Sequence, residues 1–229
     1  MLQLDGLRIT EGDFTLEASL SVPKGARVAL MGASGAGKST LLAAIAGFLL
    51  PDAGRVVIGG VDVSHAAVGE RPLSILFQDG NLFPHLSVFD NVALGISPRL
   101  DLDADARKDV EDSLSAVGLA GFGARRPAAL SGGQQSRVAL ARMLLRRRPL
   151  TLLDEPFAAL DPGLRREMLA LLGTLCDATG QTLLLATHDL RDAQALCDRV
   201  LLLEDGQIVL DEALAAAMAR APAVLNPWL

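Results

Sequence analysis

A chain of 229 residues is long enough to bury a real core, as one large domain or a domain with a substantial subdomain. Half the residues are hydrophobic, yet the longest apolar stretch, LLAAIAGFLL at 41–50, falls well short of the ~20 residues that cross a bilayer. A net charge of −6 and a pI near 5.1 argue against a sequence-independent nucleic-acid footprint. The opening MLQLDGLRIT has neither the basic start nor the apolar run of a secretion signal, so a cytoplasmic location is expected.

Two strand-like stretches come first, at 2–9 and 14–22, the second alternating Phe14, Leu16, Ala18, Leu20 and Val22 with more polar residues. RVALM at 27–31 is a short apolar strand that runs directly into a glycine loop, and Lys38 opens a helix to about Gly47. RVVIGG and VDV within 55–63 predict further short strands, and LSILF at 73–77 a buried one. From about 87 to 148 the pattern is helical, with Ala106, Val110, Leu114 and Val117 at helical spacing, then Val138, Ala141 and Leu145.

Strand and helix alternate again beyond 148. LTLLDE (150–155) is a buried strand, followed by a helix with Asp161 as N-cap, Pro162 in its first turn, and Leu164, Met168, Leu171 and Leu175 along one face. TLLLAT (182–187) is a core strand ending at His188, and a helix at 189–197 precedes two strands joined by an Asp-Gly turn. This order predicts an α/β fold with a mostly parallel sheet covered on both faces, an N-terminal antiparallel β-subdomain and an inserted α-helical subdomain. Cys176 and Cys197 read as reduced, buried thiols, and the clusters Arg125–Arg126, Arg146–Arg148 and Arg165–Arg166 as solvated helix ends.

Residues 32–40 read GASGAGKST. Gly32, Gly35 and Gly37 let the backbone wrap so that N–H groups point at phosphate oxygens. Gly32, Ala33, Ser34, Gly35, Ala36, Gly37, Lys38, Ser39 and Thr40 are therefore candidate ATP ligands, with Lys38 on the β- and γ-phosphates and Ser39 on Mg²⁺. Asp154 ends a buried strand, where a carboxylate would be costly unless it helps hold that ion. Glu155 follows where the strand breaks off and fits a general base for the attacking water. Gln78 and His188 each follow a core strand directly. Gln78 is a candidate for metal and water, and His188 for the γ-phosphate. His65 and His85 lack this placement and read as loop residues.

LSGGQ at 130–134 has no use in a solitary site. Ser131 can cap the following helix, and Gly132, Gly133 and Gln134 complete an anion receptor at its positive end, with nothing in its own chain to bind.

In this order and spacing, GASGAGKST, Gln78, LSGGQ, LLDEP and His188 resemble the ATP-binding subunits of ABC transporters, over about residues 2–212. The resemblance implies an ABC ATPase head, with a RecA-like core at about 1–86 and 149–229 and a helical subdomain at about 87–148. It also implies ATP and Mg²⁺ as cofactors. Two chains would pair head to tail, each LSGGQ completing the other's ATP site, with ALD at 159–161 as the crossing D-loop. Serine is usual where Ala158 stands.

The stretches RPLSILFQDGNLFPHLSVFDNVALGISPRL and EPFAALDPGLRREML are most similar to bacterial importer subunits of the thiamine and thiamine pyrophosphate class. An importer for iron, polyamine, sulfate or molybdate is the alternative, and a non-transport ATPase of this family acting on nucleic acid a more distant one. The implied partners are a second copy, an integral membrane permease docked on segment 79–97, and indirectly a periplasmic solute-binding protein, with no nucleic acid. The implied location is peripheral, on the cytoplasmic face of the inner membrane. The family usually stacks an aromatic residue on adenine. This chain has no tyrosine, and the alternation of Phe14 with Leu16 and Leu20 assigns Phe14 to the core.

Overall fold

Alternation of leucine with polar residues makes β1 (Leu2–Glu11) and β2 (Phe14–Val22) an antiparallel pair with one face buried. The computed structural model describes residues 1–77 and 82–220. On its far side β1 pairs with β4 (Ala53–Ile58), and β5 (Val61–Asp62) forms the edge.

Continuous apolar runs build the parallel half. β3 (Arg27–Met31) lies between β8 (Thr182–Ala186) and β9 (Arg199–Glu204), with β7 (Leu150–Asp154) next to β8 and β6 (Leu73–Leu76) beyond it. The antiparallel strands are continuous with this half. β10 (Gln207–Ala213) pairs with β9 and touches β2 through Gln207 and Glu17, so the described strands form one ten-stranded sheet.

Successive residues of the parallel strands feed opposite faces. Val28, Leu30, Leu152, Leu184 and Ala186 pack with α1 (Lys38–Ala46) and the β1–β2 pair. Ala29, Met31, Leu153, Leu183 and Leu185 pack with α5 (Pro162–Thr179) and α6 (Leu190–Leu196). Each such leucine contributes about 1.5–3 kcal/mol by leaving water. A third cluster joins α2 (Val88–Ala93), α3 (Ala104–Ala116) and α4 (Gly132–Leu145) through Val92, Val110, Leu114, Val138 and Ala141. The last helix, α7 (Leu214–Arg220), lies against β9 and β10.

Local sequence pattern does not contain three details of the packing. In α5 the fully buried positions are Met168, Leu169, Leu172 and Cys176, whereas Leu164, Leu171 and Leu175 are only partly buried. The inward stripe is thus rotated from the 164/168/171/175 reading, because α5 packs on α6 as well as on the sheet. Arg71 is fully buried and donates to the carbonyls of Ala44, Ile45, Ser64 and Ala66, clamping the C-terminal end of α1. Ser74 and Thr151, partners across β6 and β7, bury hydroxyls that have no hydrogen-bond partner among the described residues. Cys176 and Cys197 are free and buried, and burial pushes the Cys176 thiol up to about 11.

Candidate nucleotide-binding site

Strand register brings the candidate residues together. Leu30 of β3, Ala186 of β8 and Asp154 of β7 stand on one rung, so the segments leaving these strands emerge side by side. They carry the glycine loop, His188 and Glu155. Gln78 belongs to the same edge by sequence, following β6, but lies outside the described residues.

The loop folds back onto its own lysine. Lys38 is 7% exposed, and its Nζ donates to the Gly32 carbonyl at 2.8 Å and the Ala33 carbonyl at 3.0 Å. An ammonium has three donors, so one remains for an incoming oxygen. Gly37 caps α1 in the left-handed conformation with no side-chain bond. Helices α2 to α6, by contrast, all carry a Ser or Asp side-chain cap. The positive end of α1 is thereby left open to an anion.

Gly32 presses on β9. A Cβ there would lie 2.4 Å from the Leu203 carbonyl oxygen, a backbone atom that cannot yield cheaply. Gly32→Ala should therefore lift the loop, costing about 1–3 kcal/mol of stability and weakening nucleotide binding. Urea unfolding and titration with a fluorescent ATP analogue measure both effects. Unchanged affinity would mean that β9 does not set the loop's position.

Beside the loop, the Ser39 hydroxyl stands next to the Asp154 carboxylate. Burial holds the Asp154 carboxyl above the usual carboxylate range, with Glu155 adding to the effect, against the pull of Ser39 and Lys38. Glu155 adopts φ 45, its N–H bonded to the Ala186 carbonyl at 3.0 Å. This left-handed turn carries its carboxylate to His188, whose Nδ1 lies 3.0 Å from Glu155 Oε1. The two residues thus meet over a cleft of about 840 Å³ that Lys38, Ser39 and Asp154 also line. The arrangement suits a polyanion with a water held at its far end.

Phe14 belongs to this cleft too. It is half-buried against the core, as its alternation suggests, but its ring also reaches Gly37 and forms part of the cleft wall. Being the first residue of β2, it has core on one side only. Its place at a strand end was the signal available in the sequence.

Residues 131–134 do not line the cleft. Ser131 caps α4: its Oγ accepts from the Gln134 N–H, and Gln134 Oε1 accepts from the Ser131 N–H at 3.0 Å. Ser131 and Gly132 are exposed, and their helix end faces nothing in its own cleft.

The arginine clusters were expected to be solvated helix ends, and Arg165 is not. It sits in the first turns of α5, its side chain is 16% exposed, and it is paired with Asp189 and Asp192. An N-terminal arginine gains nothing from the helix dipole, and burial beside two carboxylates is what places it there.

The family description "ABC transporter" matches residues 16–158. Over all 229 residues the chain is 65% identical to the thiamine import ATP-binding protein ThiQ of Jannaschia sp. (strain CCS1), covering 100% of both. The ThiQ of Haemophilus influenzae (strain 86-028NP) is 49% identical over 208 residues, covering 91% of this chain and 97% of that one. Among solved structures, the dimeric post-hydrolysis state of the ATP-binding cassette MJ0796, bound to ADP and Pi, superposes with a TM-score of 0.80 at 32% identity, covering 93% of this chain and 99% of that one. CbiO1 of Clostridium perfringens, part of the ABC transporter complex cbiONQ, gives a TM-score of 0.86 at 30% identity, covering 100% and 95%. Sequence and fold agree that the chain belongs to the ABC transporter family.

Proposed function

We propose that the chain is the ATP-binding and ATP-hydrolysing subunit of a bacterial ABC importer that energises uptake of thiamine or thiamine pyrophosphate. The observation that carries the ATPase reading is the meeting of Glu155 and His188 beside the glycine loop. The cargo rests on the relatives' names.

In this reading the backbone of residues 32–40 and the open end of α1 hold the triphosphate, and the third donor of Lys38 turns to its β- and γ-oxygens. Ser39 and Asp154 are a hard oxygen pair that fits Mg²⁺, with Gln78 as a third ligand. Among the described residues no group of three or more His, Cys, Asp or Glu forms a metal cage, so phosphate and water oxygens would complete the shell. Bound there, the ion would neutralise charge on the triphosphate.

Glu155 orients a water and takes its proton as the water oxygen attacks the γ-phosphorus, while the bond from that phosphorus to the bridging oxygen breaks and ADP leaves. His188, steered by Glu155 through Nδ1, leaves Nε2 for the terminal phosphate. Ser131, Gly132, Gly133 and Gln134 of a second copy would close over that phosphate. The exposure of Ser131 and Gly132 and the dimeric state of the MJ0796 cassette support this pairing.

A permease would dock beside β6, where Phe77, the exposed Phe83, Leu94 and Arg142 line a groove of about 260 Å³. Segment 79–97, the expected docking site, borders it, though residues 78–81 lie outside the described residues. No described helix is long and apolar enough to cross a membrane, so a permease would hold the chain at the cytoplasmic face. A periplasmic solute-binding protein would act on the far side.

The test is ATP turnover by the chain with its permease in liposomes, on adding a thiamine-loaded, iron-loaded or polyamine-loaded binding protein. Stimulation by the thiamine-loaded protein alone is expected. Stimulation by another cargo would reassign the importer, and no ATP turnover at all would remove the ATPase reading.

A further inference from the structure

His188 is exposed, its side chain 55% accessible, and could turn away from Glu155, so something must fix the segment that carries it. Thr187 holds that segment from below. Its N–H donates to the Leu30 carbonyl at 3.1 Å, on the strand that runs into the glycine loop. Its hydroxyl accepts from the Asp189 N–H at 3.0 Å and donates to Asp192 Oδ2 at 3.1 Å, bridging the residues one and four positions beyond His188. Asp192, 8% exposed at its side chain, is a carboxylate that needs a cationic partner.

That partner comes from another element. Arg165 Nη2 bonds Asp192 Oδ2, and Nη1 lies 3.6 Å from Asp189 Oδ2. Arg165 is four residues past Asp161, the cap of α5, and the chain between Glu155 and Asp161 is a short run of turns. A closed ring results: from Glu155 through the turns to α5, through Arg165 to Asp189, Asp192 and Thr187, and back through His188. Its two ends meet at the 3.0 Å contact. The guanidinium is a planar fork able to span both carboxylates, and a single ammonium is not.

We propose that Arg165, with Asp192 and Thr187, is a positioning residue that holds His188 against Glu155, so that the segment after Glu155 and the segment bearing His188 move as one unit. The proposal rests on the ATPase reading above. Arg165 touches no nucleotide in this scheme and acts only through the placement of His188.

The test is steady-state MgATP turnover by the full chain, below the unfolding temperature of every variant. Arg165→Met should lower kcat by about tenfold or more while KM for ATP changes by less than about twofold. Arg165→Lys should recover part of the loss. Asp192→Asn, nearly the same shape and keeping an acceptor for Thr187, should mimic Arg165→Met even if the latter folds poorly.

In a His188→Ala background, Arg165→Met should cost nothing further, because its only route is already cut. Additive losses there, an unchanged kcat in folded Arg165→Met and Asp192→Asn, or a parallel rise in KM would each overturn the proposal. Failure of the ATPase reading itself looks different: the unaltered chain would show no turnover, or His188→Ala would have no effect.

Discussion

Replacing Lys38 with alanine should leave a folded chain that neither gains stability from ATP nor turns it over. Without nucleotide, Lys38 is a nearly buried ammonium whose hydrogen bonds among the described residues go to the Gly32 and Ala33 carbonyls. The cost of stripping water from that charge offsets much of what its hydrogen bonds contribute, so its removal should shift the unfolding midpoint by only a few degrees. With nucleotide the balance changes. A charge-assisted bond to phosphate contributes about 1.5–3 kcal/mol, and the same charge offsets what builds up during transfer, where a single lost donor costs about 10²–10³-fold in rate.

At saturating ATP, near 100 times Kd, the unaltered chain should gain about 2.7 kcal/mol of apparent stability, and Lys38→Ala little or none. Thermal melts with and without MgATP, alongside phosphate release, measure both effects. A variant that kept its ATP-dependent shift and its turnover would remove the loop at residues 32–40 from the nucleotide site.

The elements that position this site were legible because they depend on local pattern. Period-two alternation marks β1 and β2, continuous leucine runs mark β7 and β8, and a glycine loop between strand and helix marks the phosphate end of β3. What brings Glu155 within 3.0 Å of His188 is strand order, which no local pattern contains. The placement of both residues after core strands made the meeting reasonable to expect, and the shared rung of Leu30, Ala186 and Asp154 provides it.

Other features resisted reading because a residue type does not reveal its neighbours. Arg71 and Arg165 look in sequence like any charged surface residue. One is buried by four carbonyls, two from the end of α1 and two from the loop just before Arg71, and the other by two carboxylates of a later segment. The rotated stripe on α5 has the same origin. Several leucines are eligible to face inward, and the helix packed beside it selects among them. Phe14 satisfies two demands at once, and its alternation reported only the first.

Glu155→Gln should separate binding from chemistry. The amide is nearly isosteric with the carboxylate and tolerates the left-handed φ of 45 no worse, so the turn and its bond to Ala186 should persist. Lys38, Ser39 and the open end of α1 are untouched, and ATP should bind as before. An amide cannot take the proton of the attacking water, and losing such a group costs about 10²–10⁴-fold. Hydrolysis should therefore stall with triphosphate in the cleft, in the state where a second copy's Ser131–Gln134 would be engaged. The variant should run as a dimer in light scattering with MgATP and as a smaller species with ADP. The unaltered chain should populate the dimer only transiently. Turnover within about tenfold of the unaltered chain would remove Glu155 from the proton's path, and a variant monomeric at saturating ATP would remove the second copy from the site.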